Sequence, residues 1–114
     1  MARKKEISLK QRLMEFMIEI GIDSSKRGYR YTADAVEYIH ELLERNEIPK
    51  ITKVYEILSK RFDTTKGAVE RAIRYVKDNA DAGMAQTFDI DLKNNSRFLH
   101  SLEVRYSRME EETK

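Results

Sequence analysis

Apolar residues recur at steps of three and four along most of this chain, the spacing that gathers them on one side of an α-helix. Leu9, Leu13, Phe16, Met17 and Ile20 form the first such stripe. Ser8 with Gln11 reads as its capping box and Gly21 as its stop. Asp23, Ser24, Ser25 and Gly28 read as turn formers leading to Thr32 as the next N-cap. Ala35, Val36, Ile39, Leu42 and Leu43 then make a second stripe opposite Glu37, Glu41 and Glu44, ending before Ile48-Pro49 because proline disfavours helix in the residue ahead of it.

Thr52 caps a short third helix that turns Val54, Ile57, Leu58 and Phe62 inward. Asp63-Thr64 makes a tight turn, and a fourth helix runs from about Thr65 to Ala80 with Val69, Ala72, Ile73, Val76 and Ala80 inside. Gly83 ends that helix, and Met84 to Leu92 reads equally as a helical turn or as irregular chain. Asn94, Asn95 and Ser96 open a last helix that buries Phe98, Leu99, Leu102 and Tyr106. The pattern predicts an all-α fold, a compact bundle of about five to six helices. A flexible basic arm is expected at 1–7, a helical domain at 8–109 and a disordered acidic tail at 110–114.

The length of 114 residues fits one domain and leaves almost no room for a second folded unit, so a multidomain enzyme is not expected. With no cysteine, disulfides, thiolate zinc sites and cysteine nucleophiles are excluded, which fits a reducing, cytoplasmic setting. Apolar runs fall short of the about 18 residues that span a bilayer, so no membrane partner is expected. The net charge of +2 hides a strong polarity. Residues 50–77 carry eight basic groups against three acidic ones, and residues 32–49 one against five. A basic middle of that kind can meet phosphate.

The basic stretch coincides with the helix pair at 52–80, which has the outline of a helix-turn-helix. With its apolar set turned inward, the fourth helix presents Gly67, Arg71, Arg74 and Asp78, flanked by Lys66, Glu70 and Lys77 on one edge and by Ala68 and Tyr75 on the other. A helix at about 65–80 can lie in the major groove, where arginine makes paired hydrogen bonds to guanine and glutamate accepts from cytosine. Lys66, Glu70, Arg71 and Arg74 are the candidate base readers. Lys50, Lys53, Lys60 and Arg61, with Tyr75 and Lys77, are the candidates for the DNA backbone, which supplies affinity without sequence information. A helical hairpin whose charged face merely keeps it soluble gives the same pattern.

At these residues the chain resembles a known family, the C-terminal DNA-binding domain of the stage-zero sporulation response regulator, a transcription factor of endospore-forming bacteria. Thr64-Thr65 followed by Val69-Glu70-Arg71-Ala72-Ile73-Arg74 carries the likeness. Ile51-Thr52-Lys53, Lys60-Arg61-Phe62, Ile18-Glu19-Ile20-Gly21-Ile22 and Gly28-Tyr29-Arg30-Tyr31 extend it over about residues 13–108. The resemblance implies a helix-turn-helix that reads a short box in double-stranded DNA, homodimers placed head to tail on tandem boxes, and the sigma subunit of RNA polymerase as a contact. Glu70, Arg71 and Arg74 take the main DNA-facing positions, and Thr64 and Thr65 lie near the DNA backbone.

Two departures alter that expectation. The family has a base-reading arginine where Ala68 stands, so either Lys66, one edge away, compensates or the preferred box differs. The family's regulators also carry a phosphoacceptor receiver domain. Only about 12 residues precede the first matching helix here, so the expectation is a stand-alone regulator without that switch, or a fragment of a longer one. The rival reading is a helical protein-interaction module that has lost specific DNA reading and binds a regulator or a polymerase subunit.

Other chemistry has little support. His40 and His100 sit in no metal motif and read as surface or partly buried side chains. Asp81, Asp89 and Asp91 lack the spacing of a calcium loop. Without a nucleophile motif or a glycine-rich loop, no enzyme and no cofactor are expected. Tyr29 and Tyr31 read as core, Met14, Met17 and Met84 as packing, and Arg3-Lys4-Lys5 as a solubilising end or a phosphate-touching arm.

Overall fold

The stripes close on one another in a computed structural model that describes residues 8–113. Among these residues there are six helices and no strand: α1 Leu9–Glu19, α2 Arg27–Glu44, α3 Ile51–Arg61, α4 Lys66–Asp78, α5 Ala82–Thr87 and α6 Asn95–Glu112. α2 is the central element, packed against α4, α6, α3 and α1. Its buried face joins Leu13, Met17, Leu58, Ile73, Phe98 and Leu102 in one core. No described helix is long and apolar enough to cross a membrane. The arm expected at 1–7 lies outside the described residues, as does Lys114.

Local chemistry sets most helix ends. Ser8, Thr65, Asp81 and Asn94 each accept a hydrogen bond from the backbone N–H three residues on, at 2.9–3.1 Å. Such a cap contributes about 1 kcal/mol. At the other ends, Gly21, Asn46, Asp63 and Asp89 adopt positive φ. After α3, Thr64 N–H donates to Ser59 O at 2.8 Å and Asp63 N–H to Lys60 O at 3.4 Å, a Schellman closure. α1 closes in the same way through Gly21 and Ile22.

Several expected boundaries are corrected by packing. α2 begins at Arg27, so Thr32 lies inside the helix, fully buried, and is no N-cap. The turn is instead made upstream, where Asp23 Oδ1 accepts from the Ser25 N–H at 2.9 Å and its hydroxyl at 2.7 Å. Gly28 is not a turn former either. A Cβ there would stand 2.1 Å from Ala72 O, so Gly28 is the point where α2 crosses α4. Lys50 rather than Thr52 precedes α3, with no side-chain cap. α4 ends at Asp78 and Gly83 falls inside α5. Residues 110–112, expected in a disordered tail, continue α6.

Candidate nucleic-acid interface

α3 and α4 are joined by residues 62–65, an outline consistent with a helix-turn-helix. The turn is fixed from behind. Phe62 packs on Tyr31 of α2 with ring centroids 4.8 Å apart, Ser59 is buried, and its hydroxyl donates to Glu56 O at 2.7 Å. Val69, Ile73 and Val76 anchor α4 in the core at 0–1% exposure. The outward face therefore rests on a rigid support.

That face carries Lys66, Arg71, Arg74 and Tyr75, all exposed, with Glu70 half-buried. Arg74 pairs with Glu70 at 3.5 Å one turn back. The Arg71 guanidinium lies back over Gly67, where an added Cβ would meet Nη1 at 3.1 Å. From α3, Lys53 bonds Glu56 at 3.2 Å. The Glu56 carboxyl is held below its ordinary range by that bond first, then by the charges of Lys53, Lys60 and Lys66. Lys50 is exposed at the start of α3 and Thr65 at the start of α4, while Thr64 is half-buried. Arg61 is exposed but shares the buried Asp34 with Lys10, donating to Asp34 Oδ2 at 3.1 Å.

Lys77 departs from its expected place. Its side chain is 6% exposed, and the ammonium donates to Asp78 Oδ1 at 2.6 Å and to Leu92 O at 3.2 Å. The helical wheel put Lys77 at an edge, and the segment after α5 covers that edge. Lys77 therefore ties α4 to the chain ahead of α6, which leaves it out of the proposed phosphate set. Lys77→Met should lower stability by about 1 kcal/mol by leaving the Leu92 carbonyl unpaired, with the salt dependence of DNA binding unchanged. Urea titration and binding across a salt series check both; a shallower salt slope would return Lys77 to the phosphate set.

The structure also adds cations that the sequence reading assigned to a turn. Because α2 starts at Arg27, Arg27 and Arg30 border a groove with Phe62, Asp63 and Thr64. Lys26 lies over the Tyr75 ring, 5.7 Å from its centroid. On the far side of α4, Asn95 at the start of α6 donates to Glu70 O and to the Tyr55 hydroxyl, each at 3.0 Å. Lys93 borders the groove between that helix start and Arg74. The pairing of basic residues along α2 was visible in the sequence, but the turn reading of 22–31 detached it from the helix pair.

A family model described as sporulation initiation factor Spo0A C terminal matches residues 13–105. The match spans all of α2 to α5 and most of α1 and α6.

Proposed function

The chain belongs to the Spo0A C-terminal family of DNA-binding effector domains from a sporulation regulator, and from that premise we propose that it reads a specific double-stranded DNA sequence and regulates transcription. α4 is the recognition helix and enters the major groove. Lys66, Glu70, Arg71 and Arg74 meet base edges, while Lys50, Lys53, Lys60, Arg61, Thr64, Thr65 and Tyr75 lie along the backbone. The observation that carries this reading is the exposed Lys66, Arg71 and Arg74 strip opposite the fully buried Val69, Ile73 and Val76. A rigidly backed helix can hold arginine in the fixed geometry that paired bonds to guanine require. Residues 8–109 are the binding domain, acting in the cytoplasm. Two copies stand head to tail on tandem boxes, and the sigma subunit of RNA polymerase is the protein contact.

Selection from a random duplex library tests the reading. A defined box should emerge and be bound at least about a thousandfold more tightly than random duplex at physiological salt. Nonspecific binding that vanishes near that salt would instead favour the protein-interaction module, for which Ala68 at a base-reading position is the support. Lys60→Ala should weaken binding to the selected box and to random duplex alike, and should reduce the salt slope by about 0.9. An unchanged slope would take Lys60 out of the phosphate set.

A further inference from the structure

Away from the DNA-facing side, α2 and the last turns of α6 enclose a second polar cluster. His40 is buried, and its Nδ1 lies 2.9 Å from Oε2 of the equally buried Glu103. A carboxylate only accepts, so Nδ1 carries the hydrogen of the neutral ring and Nε2 its lone pair. Nε2 faces Glu110 Oε1 at 3.2 Å and Glu44 Oε1 at 3.3 Å. A lone pair aimed at two carboxylate oxygens is repulsive, so this point calls for a positive occupant, either a proton or a metal ion.

We infer that His40, Glu44 and Glu110 form a binding site for a divalent cation of the zinc class, with Glu103 orienting the imidazole. In a tetrahedral site with bonds of about 2.0–2.2 Å, donor atoms stand about 3.3–3.6 Å apart. The two separations from Nε2 are at or just below that edge, and all three donor atoms lie within 4.8 Å of one another. One imidazole and two carboxylates suit zinc, whereas calcium takes six or more oxygens at longer distances. The hydrogen bond from the second ring nitrogen to a buried carboxylate fixes the tautomer and turns Nε2 toward the ion. Glu44 and Glu110 keep 57% and 28% of their side-chain surface, which gives the ion a way in and water a fourth position.

The surroundings are acidic, since α2 also carries Glu37 and Glu41, of which Glu37 is paired with Lys10 at 3.3 Å. Bound here, the ion joins the C-terminal turns of α6 to the C-terminal half of α2 and stabilises the folded chain by mass action.

Cobalt(II) is the probe, because tetrahedral Co2+ has strong visible absorption and zinc displaces it. The full chain should take up one Co2+, lose the bands on adding Zn2+, and unfold at a higher temperature with either metal. Glu44→Gln and Glu110→Gln should each weaken uptake at least about tenfold. Glu103→Gln should weaken it without changing the stoichiometry, and His100→Gln should leave it unchanged. No uptake by the unaltered chain in excess Co2+, equal uptake by the Glu44→Gln and Glu110→Gln variants, or loss on His100→Gln would each overturn the site. If His40→Gln fails to fold, the two glutamate variants still decide.

Discussion

Gly28→Ala is expected to destabilise the domain by about 3 kcal/mol or more, lowering the thermal midpoint by on the order of 10–20 °C. The new Cβ would stand 2.1 Å from Ala72 O, 2.7 Å from Ala72 C and 2.9 Å from Val76 Cγ1. A side-chain end could swing aside, but the Ala72 carbonyl belongs to the α4 backbone. Relief therefore requires α2 and α4 to separate at the place where both bury their cores. The sign of the change is diagnostic. In a helix with open space, alanine in place of glycine stabilises by roughly 0.5–1 kcal/mol. Gly83 offers that contrast within the same chain, since a Cβ there meets only Asp81 Oδ1 at 3.4 Å. Gly83→Ala should thus be neutral or stabilising. Urea unfolding of the two variants checks the crossing, and a rise in midpoint for Gly28→Ala would remove it. Because α4 also carries the proposed recognition face, Gly28→Ala should lower DNA affinity even though Gly28 is far too buried to touch DNA.

Gly28 also shows what could be read from the sequence and what could not. Gly21 and Asp63 announce helix ends because the reason is local: a backbone that must turn left-handed favours glycine or a short polar residue. Gly28 has an ordinary helical backbone and is needed only because another helix passes it, which no window of the sequence contains. For the same reason a local pattern places the α2 start at Thr32 and leaves Arg27 and Arg30 out of the candidate interface, whereas α2 begins at Arg27. For the site itself, periodicity alone separated Val69, Ile73 and Val76 from Arg71 and Arg74, since one turn of helix is local. It misplaced Lys77 because the covering segment at Leu92 arrives from 15 residues away. His40 meets Glu103 across 63 positions, a distance over which spacing rules for metal ligands have no purchase.

Arg71→Ala and Arg74→Ala should each weaken binding to the selected box by about 1–3 kcal/mol, or roughly 5- to 150-fold, while changing folding stability by no more than about 0.5 kcal/mol. Both side chains leave α4 on the side opposite the core, so truncation opens no cavity. The pair that Arg74 forms with Glu70 is long at 3.5 Å and both partners are partly exposed. A surface pair of this kind contributes about 0–1 kcal/mol, so guanine can displace Glu70 at little cost. Arg71, lying over Gly67, is equally free to extend. Lysine should not rescue either position, since an ammonium keeps the charge but lacks the planar fork that matches two guanine acceptors. Titration against random duplex separates the roles: a base reader loses affinity for the box far more than for random sequence, whereas a phosphate contact loses both alike. If neither substitution changes affinity for the box, α4 does not lie in the groove as proposed. Equal losses on both duplexes would keep α4 against DNA and move sequence reading to Lys66 and Glu70, the remaining candidates on that face.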